Sequence, residues 1–132
     1  MNPVVHFEMP AKDKKRVAMF YAKVFGWEMQ QMGEDMGGYL LATTTPTDPK
    51  TTRPTMPGAI NGGFFKQGEY GNVPHLVIAV DNLEESIEEV KKEGGEISGE
   101  PMDIPGIGKF VMIKDSEDNR VGMLQPSPMP NS

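Results

Sequence analysis

The chain holds two histidines, His6 and His75. Each sits in a strand-like run: residues 3–9 alternate, and Leu76–Val80 after His75 is continuously apolar. Two imidazoles brought to equivalent places can hold a divalent ion or pass a proton between them. Each can equally be a half-buried histidine satisfied by backbone or by an asparagine. Glu8 lies two residues from His6 and so shares its strand face. A carboxylate there is a candidate catalytic base or metal ligand; the other reading is a partly solvated charge at a strand end. Asn61 precedes Gly62-Gly63, where it can donate to and accept from a bound molecule. The glycine pair marks a bulge or a close approach of backbone or ligand. Tyr39 and Phe65 are candidates to line an apolar pocket, while Trp27, just after a helix, reads as core. Arg53 could clamp a substrate carboxylate or phosphate, or be a solvated loop residue. There is no cysteine, which removes disulfides, thiol catalysis and zinc-thiolate sites. No Ser-His-Asp or nucleophile-elbow pattern occurs, and Gly106-Ile107-Gly108 is too short for a phosphate-binding fingerprint.

These side chains need elements to carry them. Residues 3–9 alternate as a strand, with His6 and Glu8 on one face and Val5, Phe7 and Met9 on the other. Asp13 is a possible N-cap, and Val17, Phe20, Tyr21 and Val24 form the apolar stripe of a helix that ends at Gly26. Residues 27–32 and 39–44 read as a strand pair. Residues 43–57 carry four prolines and form a long polar loop, either a surface excursion or a lid. A glycine-rich strand follows over 58–65. The second half repeats this order: a strand over 72–80, a helix capped by Asn82 with Leu83, Ile87 and Val90 inward, Gly94-Gly95, then strands over 96–100, 108–114 and 120–125. An offset of 69 residues sets His6 on His75 and Gly26 on Gly95. The expected architecture is α+β: two βαβββ modules, 1–66 and 72–126, forming a curved-sheet cup, with a flexible tail over 127–132.

With 132 residues the chain is one domain in length. Its 19 acids outnumber 13 bases, and the bases are scattered, which argues against a nucleic-acid partner. Uninterrupted apolar runs such as Leu76–Val80 and Val17–Ala22 are far short of the ~20 residues of a membrane span. No secretory leader is visible, so a cytoplasmic location is expected.

The order of these motifs resembles the vicinal oxygen chelate superfamily, which includes glyoxalase I, extradiol dioxygenases and bleomycin-resistance proteins. The resemblance is carried by residues 20–28, Phe-Tyr-Ala-Lys-Val-Phe-Gly-Trp-Glu, after a histidine-bearing strand. It continues in residues 75–82, in Gly94-Gly95, and in residues 115–122, whose Asp-Ser-Glu-Asp-Asn is a variant of the family's Asp-Pro-Asp-Gly-Asn turn. The resemblance implies a cup that binds a small molecule, no organic cofactor, and a homodimer. In metal-using members one ligand comes from the first strand of each module and one from the last. His6 and His75 match the first-strand positions. The last strands offer Asn61 or Gly63, where Glu or Gln is expected, and Gly122, where Glu is expected. The resemblance thus implies a glyoxalase-type lyase or isomerase with a divalent ion (Ni, Zn, Fe or Mn) on His6 and His75. Its alternative is a metal-free protein that sequesters a small molecule. The missing carboxylates speak against a dioxygenase.

Overall fold

In a computed structural model of the chain, which describes residues 1–128, each half runs strand, helix, three strands. The elements are β1 (Val4–Ala11), α1 (Lys14–Phe25), β2 (Glu28–Gln31), β3 (Leu40–Thr43), β4 (Asn61–Lys66), β5 (His75–Ala79), α2 (Leu83–Lys92), β6 (Glu96–Ile104), β7 (Gly108–Lys114) and β8 (Arg120–Pro126). A 3-10 turn, Glu34–Met36, lies between β2 and β3. The two expected βαβββ modules are therefore present. Contacts divide the chain into His6–Pro74 and a second unit of His75–Pro128 with Met1–Val5. The first residues go with the later unit because the Ala79 N–H donates to the Pro3 carbonyl at 3.0 Å.

In the unit of His6–Pro74 the strand order is β2-β3-β4-β1, with β1 parallel to β4 and the other neighbours antiparallel. Asp13 caps α1 by accepting from the Arg16 N–H at 3.0 Å, and Gly26 ends it at φ +73°. The helix covers one face of the sheet. Ala11, Leu40, Ala42 and Phe64 are buried there, with Phe7, Met9, Val17, Ala18, Tyr21, Trp27 and Met29 packed on them. The expected stripe on α1 is rotated. Val17 and Tyr21 face inward, but Phe20 and Val24 are 50% and 57% exposed. Ala18 takes their place, because a small residue lets the helix close on the sheet while Tyr21 stacks on Trp27 (4.7 Å, 18°).

The other unit has the equivalent order β5-β8-β7-β6, with β5 parallel to β8. Asn82 accepts from the Glu85 N–H at 3.0 Å and opens α2. Leu83, Ile87 and Val90 pack against Val80, Val111, Ile113 and Met123, as their spacing predicts. The Ser127 N–H donates to the Ile107 carbonyl at 2.8 Å, and residues 129–132 of the expected tail lie outside the described residues. Among the described residues no helix is long and apolar enough to cross a membrane.

Candidate functional site

Strand register places the candidate residues of the first unit. His6 pairs with Asn61, Phe7 with Gly62 and Glu8 with Gly63. Across β4, Leu41 pairs with Gly63 and Ala42 with Gly62. Side chains alternate, so Phe7, Gly62 and Ala42 face α1. His6, Glu8, Asn61, Gly63 and Phe65 share the opposite face. The two glycines serve two rings, one per face. A Cβ on Gly62 would come within 3.0 Å of the Phe7 ring, and one on Gly63 within 3.0 Å of the Tyr39 ring. The glycine pair is therefore a close approach, and the ligand it makes room for is the protein's own Tyr39.

Tyr39 lies against Gly63 and reaches two partners. Its hydroxyl bonds to Glu8 and stands 3.1 Å from His6 Nε2. Glu8 is buried at 8% exposure. Burial first, then the Glu8 charge and the hydrogen bond to it, hold the Tyr39 phenol well above the ordinary tyrosine value. A phenol has one proton to give. A carboxylate is the stronger acceptor, so that proton goes to Glu8 and His6 Nε2–H donates to the phenol oxygen. The result is a one-way chain of donors from His6 to Tyr39 to Glu8. Tyr70, which the sequence reading passed over, joins from the loop after β4. Its ring meets Phe65 edge-on at 5.6 Å, and burial with the Glu69 and Glu8 charges raises its phenol too.

The remaining candidates have other surroundings. Asn61 Oδ1 accepts from the Thr44 N–H at 2.8 Å, and its Nδ2 donates to Thr47 Oγ1 at 3.1 Å. Its amide thus fastens the root of the Pro/Thr loop. That loop folds back on itself through Thr47 and Pro54, turning on Asp48, whose carboxyl is held low by the Thr51 and Lys50 N–H groups. Arg53 is exposed on it. Phe65 is buried on β4. His75 is buried at the start of β5, in the other unit.

A metal centre of the kind the resemblance implies needs three or four donors. Two of the four positions are imidazoles. Asn61 is engaged with Thr44 and Thr47, and Gly122 offers no donor. A Cβ on Gly122 would meet the Phe110 ring at 2.7 Å, so no longer side chain fits there. Glu8, the candidate replacement carboxylate, accepts from Tyr39, and among the described residues no three His, Cys, Asp or Glu come together as a cation site. This donor set does not fit a divalent ion, and no step is routed through one.

The profile of the Glyoxalase/Bleomycin resistance protein/Dioxygenase superfamily matches residues 4–123. The chain belongs to this superfamily. A glyoxylase-like domain-containing protein of Didymella fabae is 31% identical over 120 residues, which cover 85% of this chain and 84% of that protein. Putative glyoxylase CFP32 of Mycobacterium bovis is 32% identical over 54 residues, 41% of this chain. The match spans only 21% of the mycobacterial protein's own length. Among solved structures, hypothetical protein BH1468 of Bacillus halodurans superposes with TM-score 0.69 at 16% identity, covering 99% of both chains. Methylmalonyl-CoA epimerase of Mycobacterium tuberculosis does so with TM-score 0.66 at 13% identity, over 95% of this chain and 88% of that one. At these identities the likeness is one of fold.

Proposed function

We propose that this superfamily member takes up a small carbonyl compound beside Glu8 and moves a proton on it, as an isomerase does. The observation that carries the reading is a buried carboxylate held by a phenol that an imidazole backs in turn. Glu8 accepts the proton from the carbon next to the carbonyl. In an α-hydroxy carbonyl compound the C–H electron pair passes into an enediolate, the hydroxyl proton moves to the other oxygen, and Glu8 returns its proton to the former carbonyl carbon to give the isomer. Tyr39 is not the base, because its own proton is held too tightly. It fixes the carboxylate, and His6 fixes Tyr39. The fold shared with an epimerase supports an isomerase over a dioxygenase but names no substrate. A homodimer is the assembly that goes with this reading, and sedimentation velocity tests it.

The test is proton exchange. The protein is incubated in D2O with methylmalonyl-CoA, or with the glutathione hemithioacetal of methylglyoxal, and loss of the C–H signal is followed by NMR. Exchange that falls by roughly 10²–10⁴-fold in Glu8→Gln supports the reading. Tight binding of either probe with no exchange selects sequestration instead.

A further inference from the structure

Helix α1 opens with Lys14, Lys15 and Arg16 and has no acid in its first turn. Cations there oppose the helix dipole, so the sequence pays for them locally. Lys15 and Arg16 are exposed, but Lys14 is half-buried. It lies at i, i+4 and i+7 with Ala18 and Tyr21, the side of α1 that packs on the sheet. Its ammonium donates to the carbonyl of Gly38, 24 residues away. Gln31 Nε2 donates to the same carbonyl at 2.6 Å. Gly37 and Gly38 both take left-handed φ, +68° and +66°, which turns that carbonyl toward the two donors.

The next residue is Tyr39. The Gly38 carbonyl and the Tyr39 nitrogen share one rigid peptide plane. Fixing the carbonyl fixes the N–Cα axis of Tyr39, and the Met32 N–H, which donates to the Tyr39 carbonyl at 2.8 Å, holds the rotation about it, so the two together set the direction in which the Tyr39 side chain leaves the backbone. We infer that Lys14, with Gln31, is a positioning residue for Tyr39 and sets its hydroxyl on Glu8 and His6. A tilt of ~10° in that plane swings the phenol oxygen by about 1 Å, and an error of that size costs roughly 100-fold in rate. The inference deepens the proton-transfer reading and rests on it for its activity arm alone. The charge-assisted bond is what makes a cation at this end of the helix worth keeping.

The experiment uses the full chain with tyrosine labelled at Cζ, each of the three signals assigned by its Tyr→Phe variant. In Lys14→Met, which keeps the apolar stem, the Tyr39 titration midpoint falls by about one pH unit or more. In the exchange assay kcat falls roughly 10- to 100-fold while KM stays. Lys14→Arg restores both. If Lys14→Met does not fold, Gln31→Leu, at an exposed position, carries the same readout with a smaller shift. A folded Lys14→Met or Gln31→Leu protein whose Tyr39 midpoint is unmoved overturns the inference, even if its melting temperature drops. If Tyr39 moves but the native protein exchanges no proton on either probe, the positioning role stands and the isomerase reading falls.

Discussion

Replacing Gly63 with alanine puts a methyl group where the far end of the Tyr39 ring now lies. The atoms met are Cε2, Cζ and the hydroxyl oxygen, and the closest approach falls inside 3.0 Å, which real Cβ atoms do not show. The backbone of β4 cannot yield, because it is paired on both sides, to β1 and to β3. Relief comes from Tyr39 swinging off the sheet, which takes its hydroxyl from Glu8 and His6. Overpacking of this kind costs about 1–3 kcal/mol. For a chain of this length that is a fall of about 3–15 °C in Tm. Gly62→Ala is the control. Its methyl meets Phe7 on the α1 face, so it costs a similar amount and leaves the Tyr39 phenol where it is. In a Tyr39→Ala background the Gly63→Ala penalty should shrink below ~0.5 kcal/mol, because the ring it meets is gone. Denaturant unfolding gives the energies, and tyrosine titration gives the position of the phenol. Gly63→Ala within ~0.5 kcal/mol of the native protein, with Tyr39 still titrating high, would refute the packing argument.

Tyr39→Phe removes the phenol that Glu8 accepts from, and should cost about 1.5–3 kcal/mol at neutral pH by chemical unfolding. The same residue sets an alkaline limit: its folded value is raised, so its contribution is complete below the unfolded value near ~10 and is lost as pH climbs toward the folded one. Native protein should therefore lose more stability than Tyr39→Phe between pH of about 9 and 11, and equal losses would show that Tyr39 is not the group concerned. Asn61→Leu leaves the Thr44 N–H without its acceptor, costs about 1–3 kcal/mol, and should speed tryptic cleavage after Lys50 several-fold; an unchanged digestion rate would mean the amide does not fasten the loop. Chelator treatment should leave melting temperature and proton exchange unchanged, since the four expected positions give two imidazoles, an engaged amide and a glycine. One equivalent of Ni, Zn, Fe or Mn that survives purification and is lost in His6→Ala would overturn that.

The duplication was legible because spacing survives where identity does not. Helix caps at Asp13 and Asn82, and the left-handed glycine after α1, are local signals that act within three or four residues. Strand faces were legible for the same reason, since alternation put Glu8 beside His6 before any partner was known. Partners were not. That Tyr39 crosses Gly63 depends on the register of β3 with β4, set by residues some twenty positions apart. The stripe on α1 misled because Phe20 and Val24 are apolar yet exposed, and periodicity alone does not say which of two overlapping stripes a sheet selects. Two signals were present and unread. Three cations in the first turn of α1 had no local reason to be there, and Gly63 beside an aromatic-rich unit was a place for a ring.

The register also bears on where the carboxylate belongs. The resemblance places a Glu or Gln on the last strand of the first module, at Asn61 or Gly63. The chain has neither, but Glu8 stands directly across from Gly63 on β1. In this chain the acid stands on β1 instead, and the Gly63 position admits a ring. That placement alters the chemistry. On β4 a carboxylate and an imidazole on neighbouring strands would be arranged to share an ion. On β1 the carboxylate is two residues from the imidazole, and the Tyr39 hydroxyl comes between them, bonded to both. A phenol in that place is hydrogen-bonded to the acid and to the imidazole through one hydroxyl, which fixes the carboxylate for work as a base. Restoring the acid by Gly63→Glu would collide with Tyr39, so the two arrangements are alternatives. At Gly63 the double variant Gly63→Glu with Tyr39→Ala has room for a carboxylate and the single variant has none, and a gain of nickel or zinc binding in the double variant but not in Gly63→Glu is the result this account requires.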